Sequence, residues 1–316
     1  MDLLVSAFRH LLFAWHHATD KNHDHCLLLG DFKFLYQSKI AEGGYGTVFL
    51  ARDLNAASAA AAKDGDMWAL KRVAAADNEM RDAYHREVQA HMSTKGHPRI
   101  MQLLASDIVS APSGAQGFLV MPYMRNGDLQ QFVDLRYSRN QPLSPSLIIT
   151  LFRSICEGVR AFHSQEPPLA LCDIKPANIL LGDDGRSTVL TDLGSVCPAI
   201  RPVTSRAQAN TLQDEFAMTI TAPYRAPECF SVPSQCTLDT RTDMWSLGCV
   251  LYFMCCGKPA FDGTESSARA RIDLDGIPEA GPLRQLVKDM LSVQMADRPK
   301  IDQVLQMLEG IPDTFS

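Results

Sequence analysis

The stretch ALCDIKPANILLGDDG, residues 170–185, places three polar side chains of different kinds just before an apolar run. Asp173, Lys175 and Asn178 stand two and three residues apart, and Pro176 between them disfavours a continuous helix. The apolar run that follows reads as a strand, and a strand needs none of these three side chains. A carboxylate, an ammonium and an amide in this order therefore point to chemistry, and other motifs of the chain indicate which chemistry.

Composition narrows the class of protein. The chain has 316 residues, is 46% hydrophobic and carries a formal net charge of −6. A negative charge argues against a general nucleic-acid binder, which needs a basic face. The nine cysteines form no Cys-x-x-Cys pair, which is typical of free thiols in a reducing compartment. We therefore expect a globular cytoplasmic protein that does not bind nucleic acid.

Residues 1–30 read as an N-terminal extension. Residues 3–18 carry apolar side chains at helical spacing, and Asp2 and Arg9 fit a signal peptide poorly. The segment fits either a helix lying on a membrane surface or a helix packed on the folded body, and we favour the second. Residues 16–26 hold four histidines and a cysteine, which is compatible with a metal site but more typical of a solvated linker.

The rest of the chain changes character near residue 126. Three strand-like runs and one helical pattern come first, namely FKFLYQSKI (32–40), YGTVFLARD (45–53), MWALKRVA (67–74) and EMRDAYHREVQAHMST (79–94). Long apolar-periodic helices follow. The pattern predicts an α+β protein with a small β-rich part over residues 31–125 and a larger, mainly helical part over residues 126–316.

Three further features are each only weak evidence of a functional site when taken alone. IAEGGYGTV, residues 40–48, joins two strands through a turn whose glycines would let backbone N–H groups approach a phosphate, although glycine-rich hairpins are common. Lys71 lies on the next strand, where an isolated lysine usually snorkels to solvent, and Glu87 on the following helix could pair with it. Asp192 in TDLGS stands at a turn suited to holding a cation.

The order of these motifs resembles that of the protein kinases over residues 31–310. The matching segments are AEGGYGTV (41–48), WALK (68–71), LCDIKPAN (171–178), DLG (192–194), APE (226–228) and DMWSLG (243–248). Two longer stretches, residues 211–232 and 241–254, are similar to the serine/threonine kinase 16 branch of the Numb-associated kinases. The resemblance implies a bilobal protein kinase fold, with ATP and Mg²⁺ as cofactors.

The resemblance also implies the chemical roles of the opening stretch. Asp173 would act as catalytic base toward the substrate hydroxyl, and Lys175 would neutralise charge at the γ-phosphate. Asn178 and Asp192 would bind Mg²⁺.

The same resemblance implies a set of nucleotide-binding residues. Lys71, paired with Glu87, would anchor the α- and β-phosphates, and Met121 would be the gatekeeper ahead of a hinge that ends at Met124. The full set is Ile40, Ala41, Glu42, Gly43, Gly44, Tyr45, Gly46, Val48, Ala69, Lys71, Glu87, Met121, Pro122, Met124 and Leu180.

The resemblance also implies the class of substrate. A lysine two residues after Asp173, together with Thr221, is typical of kinases that phosphorylate serine and threonine in proteins, with dual specificity as the alternative. A small-molecule kinase is disfavoured by the APE motif. We expect a monomer, with residues 3–18 as the segment that would contact a membrane surface.

The catalytic loop and the metal-binding triplet depart from the family pattern at three positions. Leu171 and Cys172 replace the His-Arg pair that usually precedes the catalytic aspartate, and Leu193 replaces the usual Phe of the metal-binding triplet. These departures admit a pseudokinase that acts as a scaffold, but the chain keeps the catalytic set, which favours an active enzyme. The retained residues are Lys71, Glu87, Asp173, Asn178 and Asp192.

Cys172 cannot receive a phosphate as the usual arginine does, so the activation segment must be ordered differently. NTLQDEFAMT, residues 210–219, predicts a helix with Thr211 as N-cap and Asp214 in a variant capping box. An apolar stripe would pack that helix down, formed by Leu212, Phe216 and Ile220. The alternative is a surface helix with no regulatory role.

The end of that segment predicts one ion pair. Glu228 of the APE motif should pair with Arg298 of ADRP, residues 296–299, and so tie the segment to a late helix.

Overall fold

The computed structural model describes residues 26–30, 32–43, 46–54, 67–111, 114–269, 272–274, 276–277 and 281–311. Residues 3–18, the histidines of residues 16–25, and Gly44 and Tyr45 of the glycine-rich turn lie outside these ranges. The chain forms two compact units. The first ends at Tyr123 and the second continues from Met124, and residues 93–101 belong to the second unit.

The first unit is built on a six-stranded antiparallel sheet with strand order β1-β2-β3-β4-β6-β5. Its strands are β1 (Cys26–Leu29), β2 (Phe32–Gly43), β3 (Gly46–Asp53), β4 (Met67–Ala74), β5 (Ala105–Ala111) and β6 (Gly114–Pro122). One helix, α1 (Asn78–Ser93), follows β4. The glycine-rich stretch is the β2–β3 hairpin, as the sequence predicts.

The two faces of this sheet have different roles because side chains alternate along each strand. Phe34, Ala51, Leu70 and Val120 are buried in one apolar core. Lys71 is the neighbour of Leu70 along β4, so it points to the opposite face. Helix α1 packs there, since the Tyr84 hydroxyl donates to the Phe118 carbonyl at 3.2 Å and a Cβ at Gly117 would meet the Tyr84 ring at 2.5 Å.

The second unit is mainly helical in the part of the chain that the structure describes. Its helices are α2 (Leu129–Ser138), α3 (Pro145–His163), α4 (Arg206–Thr219), α5 (Pro227–Phe230), α6 (Arg241–Cys256), α7 (Glu265–Ala268), α8 (Gly281–Met290) and α9 (Ile301–Glu309). Three short strand pairs accompany them, formed by β7 (Leu169–Ala170) with β10 (Cys197–Pro198), β8 (Ile179–Leu181) with β9 (Thr188–Leu190), and β11 (Arg201–Val203) with β12 (Cys236–Leu238).

Helix α6 forms the centre of the second unit. It is apolar nearly all round and buried from Thr242 to Cys255, as expected for a helix covered on every side. It ends at Gly257, whose φ of 65° is the left-handed conformation typical of a helix C-terminus. No helix within the described residues is long and apolar enough to cross a membrane.

Candidate active site

In the first unit, Lys71 and Glu87 form a buried ion pair. The Lys71 Nζ lies 2.6 Å from Glu87 Oε1, and the two residues are 5% and 4% exposed. Strand β4 directs Lys71 away from the apolar core and toward α1, whose third turn carries Glu87. Charges that are taken out of water this far need a close partner, so the geometry confirms the predicted pairing.

The other predicted nucleotide-binding residues of the first unit lie on three neighbouring strands. Val48 is the cross-strand partner of Lys71, and Ala69 is the partner of buried Met121. These four side chains therefore share the face of the sheet opposite the apolar core.

The hairpin and the strand end hold the remaining members of this set in the first unit. Ala41 pairs with Val48 and Gly43 with Gly46, and Ile40 is exposed on the same hairpin. The Lys39 ammonium lowers the pKa of the exposed Glu42 carboxyl through a hydrogen bond. Half-buried Pro122 ends β6.

In the second unit, Asp173 lies in a cradle of hydrogen-bond donors. Thr221 donates to Oδ1 from its backbone N–H at 3.0 Å and from its hydroxyl at 2.7 Å. Lys175 donates to Oδ2 at 2.7 Å and also to the Thr221 hydroxyl oxygen at 2.8 Å. The side-chain amide of Asn178 donates to the Asp173 carbonyl at 3.0 Å. The structure thus brings together the residues that the opening stretch singled out.

Asp173, Asn178 and Asp192 line one small cavity of the second unit. Asp192 has a φ of 59°, a left-handed conformation that costs energy for a residue with a Cβ and is typical of functional sites. Asn178 and Asp192 can offer amide and carboxylate oxygens, which are the ligands that Mg²⁺ prefers. Leu180 lies nearby on β8, partly exposed, and Met124 is also partly exposed. The donor set therefore fits a magnesium ion.

The backbone just before Asp173 is held by Asp243 of helix α6. Asp243 Oδ2 accepts from the Leu171 N–H at 2.7 Å, and Oδ1 accepts from the Cys172 N–H at 2.9 Å. The His163 ring nitrogen Nε2 lies 2.9 Å from Asp243 Oδ2. Asp243 begins the DMWSLG motif, but the motif alone predicts no role for its carboxylate. A lone carboxylate inside an otherwise apolar helix was the available signal, because buried charges are paired.

The family model for the protein kinase domain matches residues 34–308. The chain belongs to the protein kinase family. It is 36% identical to human serine/threonine-protein kinase 16 over 293 residues, which is 90% of this chain and 92% of the relative. The mouse protein of the same name is 34% identical with the same coverage. The yeast actin-regulating kinase PRK1 is 29% identical over 75% of this chain and 30% of its own length.

These matches confirm the α+β kinase fold and the enzyme class. The protein is a serine/threonine-protein kinase, and the resemblance to the serine/threonine kinase 16 branch is confirmed.

The end of the kinase's activation segment is fixed by the predicted pair. Arg298 Nη1 and Nη2 donate to the two Glu228 oxygens at 2.6 and 2.7 Å, a bidentate arrangement. The Arg298 guanidinium also lies over the Trp245 ring of α6, 4.9 Å from its centroid. Its side chain is fully buried, so the prediction of a Glu228–Arg298 pair is confirmed.

The helix of the activation segment begins earlier than predicted. Helix α4 starts after Ser205, whose hydroxyl accepts from the Gln208 N–H at 3.3 Å. Thr211 is an interior residue that donates to the Ala207 carbonyl, so its prediction as N-cap, with Asp214 in a capping box, is wrong. The start signal was Ser205 followed three residues later by Gln208, whose side chain accepts from the Thr204 N–H. The predicted apolar stripe is confirmed, because Leu212, Phe216 and Ile220 are all buried.

Cys172 occupies the place of the family's phosphate-receiving arginine, and its surroundings were not foreseen. Its φ is 65° and its sulfur lies 3.2 Å from that of Cys197. Nearby, Arg201 makes two hydrogen bonds to Glu215, at 2.7 and 2.6 Å. No sequence signal identifies the cysteine contact, because it depends on the pairing of β7 with β10.

Proposed function

We propose that this kinase transfers the γ-phosphoryl group of Mg-ATP to serine and threonine hydroxyls of protein substrates, with Asp173 as the catalytic base. The observation that carries the proposal is the cradle around the Asp173 carboxylate. Its side chain is buried, and Asp173 lines one small cavity together with Asn178 and Asp192. Phosphoryl transfer needs positioning and charge neutralisation rather than covalent chemistry, and this site supplies both.

The hydrogen bonds of Asp173 define how it would take a substrate hydroxyl. A carboxylate can accept about four hydrogen bonds, and Thr221, Lys175 and Asn178 supply four. The contact from the Asn178 amide to Oδ2 is the longest, at 3.3 Å, and this amide also donates to the Asp173 carbonyl. The substrate hydroxyl would replace Asn178 on Oδ2, which leaves the Asn178 side chain to serve the metal ion.

Lys175 would neutralise charge on the transferred group. An ammonium has three N–H donors, and two of them point at Asp173 and Thr221. The third can reach a phosphoryl oxygen while the lysine stays anchored. Thr221 and Lys175 together fix the carboxylate for a short hydroxyl, which favours serine and threonine over tyrosine.

Asn178 and Asp192 would hold Mg²⁺, and Lys71 would orient the α- and β-phosphates. When bound, Mg²⁺ neutralises negative charge on the phosphate oxygens. Glu87 fixes the Lys71 ammonium in one position, because both groups are buried and 2.6 Å apart. A fixed cation needs little reorganisation during the reaction.

We further propose that the activation segment adopts its ordered form without phosphorylation. Ala209, Leu212, Phe216 and Ile220 bury one face of the α4 region. The Arg201–Glu215 pair ties β11 to α4 without a phosphate, and the Arg201 guanidinium also covers the Phe216 ring at 5.5 Å. The pairing of β11 with β12 also connects the same segment to residues further along the chain.

The experiment that tests the catalytic proposal compares three proteins with radiolabelled ATP and a generic acidic protein substrate. The wild type should label serine and threonine. Asp173→Asn should lower the rate by a factor of about 10² or more, because it removes the proton acceptor. Asp183→Asn, which changes an exposed aspartate on the β8–β9 turn, is the matched control and should keep the wild-type rate. Equal rates for Asp173→Asn and the wild type would disprove the role of Asp173.

A further inference from the structure

Two thiols meet beside the catalytic base. The Cys172 sulfur lies 3.2 Å from the Cys197 sulfur, although the residues are 25 positions apart in sequence. Cys172 precedes Asp173, and Cys197 begins β10 in the activation segment. Cys172 is buried and Cys197 is half-buried, and both are free thiols. The catalytic mechanism proposed above uses neither of them.

The surroundings make the two sulfurs chemically unequal. A hydrogen bond from the Cys172 thiol lowers the pKa of Cys197, and the Arg201 guanidinium, 3.8 Å from the Cys197 sulfur, lowers it further. These effects exceed burial and the opposing charges of Asp243 and Glu215. The same hydrogen bond and full burial raise the pKa of Cys172 well above its usual range. Cys197 is therefore the more acidic thiol of the pair.

Arg201 stays beside Cys197 because Glu215 holds its guanidinium through two hydrogen bonds. A thiolate next to a fixed cation is the arrangement that makes a cysteine reactive toward oxidants. The neighbouring Cys172 thiol can then resolve the oxidised sulfur, as in redox-sensing pairs.

We propose that Cys172 and Cys197 form a peroxide-sensitive dithiol whose oxidation to a disulfide slows phosphoryl transfer. In the first step the Cys197 thiolate attacks one oxygen of hydrogen peroxide. An S–O bond forms, the O–O bond breaks, and hydroxide leaves and is protonated to water. In the second step the Cys172 sulfur attacks the sulfenic acid on Cys197. An S–S bond forms, the S–O bond breaks, and the departing hydroxide takes the Cys172 proton. Two thiols are oxidised by two electrons, and one peroxide is reduced to two waters.

The disulfide changes the site because its geometry differs from that of the thiol contact. An S–S bond is about 2.05 Å long, so the sulfurs must approach by roughly 1.1 Å. The Cys172 N–H is held by Asp243, and Cys172 is bonded directly to Asp173. In this proposal the approach pulls against the Asp243 hydrogen bond and shifts the backbone that carries Asp173. A misplacement of about 1 Å can cost a factor of about 10² in rate. This effect on rate rests on the proposed role of Asp173.

The experiment treats the full-length reduced protein with graded hydrogen peroxide, stops the reaction, blocks remaining thiols and follows two readouts. The first is a tryptic digest without reductant. Cleavage after Arg160, Arg186 and Arg206 yields fragments 161–186 and 187–206, which hold Cys172 and Cys197 as their single cysteines. The second is the rate of phosphoryl transfer before and after dithiothreitol.

We expect the two fragments to become linked, with the loss of two hydrogen atoms, as the rate falls by a factor of about 10² and recovers on reduction. Cys197→Ser should keep its rate in peroxide. Cys236→Ser is the matched control, since Cys236 is also half-buried but its sulfur contacts the Pro233 carbonyl, and it should respond like the wild type. The fragment readout does not depend on how any variant folds.

Three results would overturn parts of this proposal, and each is distinct. Unlinked fragments in a sample whose other thiols are oxidised would disprove the dithiol. Linked fragments with an unchanged rate would disprove its effect on catalysis. Linked fragments after peroxide, in a protein whose reduced form has no measurable transfer, would contradict the proposed role of the site while leaving the dithiol established.

Discussion

Thr221 and Asp173 are joined by two hydrogen bonds across a separation of 48 residues in sequence. One comes from the Thr221 backbone and the other from its hydroxyl, and both end on the same carboxylate oxygen. The backbone bond sets the distance between the activation segment and the catalytic loop, and the hydroxyl bond sets the orientation of the carboxylate. The position of the Asp173 carboxylate therefore depends on the placement of Thr221.

The Thr221 hydroxyl can be tested apart from the backbone bond. Thr221→Val removes the hydroxyl and keeps the N–H and the side-chain shape. A hydrogen bond to a charged group is worth about 1.5–3 kcal/mol, so we expect kcat to fall by about ten- to hundredfold. Thr221→Ser keeps the hydroxyl and should stay within a few-fold of the wild type. Steady-state kinetics check this, and equal kcat values for the two variants would contradict the role of the hydroxyl.

The buried ion pair of the first unit should matter for the rate of phosphoryl transfer. Lys71→Met keeps the length of the side chain but removes its charge, and we expect kcat to fall by a factor of about 10² or more. Lys95→Met, which changes an exposed lysine after α1, should be neutral. Rates are measured at saturating ATP, with melting temperatures as a check on folding. Wild-type turnover in Lys71→Met would disprove the assigned role of Lys71.

The Glu228–Arg298 pair should matter for stability. Arg298→Ala leaves the Glu228 carboxylate without its bidentate partner in a mostly buried place, so the free energy of unfolding should fall by about 3–5 kcal/mol. Arg269→Ala breaks a pair with Glu265 in which both side chains are more than 40% exposed, and should cost less than about 1 kcal/mol. Urea denaturation measures both values. Similar losses of unfolding free energy in the two variants would show that burial of the Glu228–Arg298 pair adds nothing to stability.

Packing of α4 should replace activation by phosphorylation. Protein made in bacteria and treated with phosphatase should keep its activity. Phe216→Ser should lose it, because Phe216 is buried under the Arg201 guanidinium, whereas Met218→Ser on the exposed side of the same helix should not. Kinase assays before and after phosphatase check this. Activity that vanishes on dephosphorylation and returns with phosphate on this segment would refute the idea.

The acidity of Cys197 can be read from alkylation rates as a function of pH. The pKa of Cys197 is lowered and that of Cys236 is raised by burial, and only the thiolate reacts. The rate at Cys197 should therefore reach half its plateau at a lower pH than the rate at Cys236. Cys172→Ala should move the Cys197 midpoint upward, because the Cys172 hydrogen bond is the largest cause of the shift. Coincident midpoints in the wild type would contradict this.

Sequence predicted those parts of the site that depend on residue type and order. The Lys71–Glu87 pair and the cluster around Asp173 follow from motifs whose order along the chain already implies the fold. The start of α4 was misplaced because Leu212, Phe216 and Ile220 fix the buried face of a helix but not its first residue. Ser205 and Gln208 do fix it, and Ser205 lies six residues before the predicted N-cap Thr211.

Contacts that depend on the register of short strands were not predictable. Cys197 meets Cys172 because β10 pairs with β7, with Cys197 opposite Ala170. Two-residue strands leave no periodic pattern in a sequence. Asp243 and His163 are 80 residues apart, and their contact depends on the packing of α3 with α6, which apolar periodicity predicts only in general terms.

Asp243 ties the loop before Asp173 to the buried core of the second unit. Its carboxylate anchors the two amides that precede Asp173, and it lies on α6, which is buried from Thr242 to Cys255. To loosen this loop, the protein would have to break the hydrogen bonds of a carboxyl group that is buried inside the second unit. The loop therefore cannot fray by itself as surface loops do. Heat should inactivate this enzyme in the same cooperative step that melts its core, with no inactive but otherwise intact intermediate on the way.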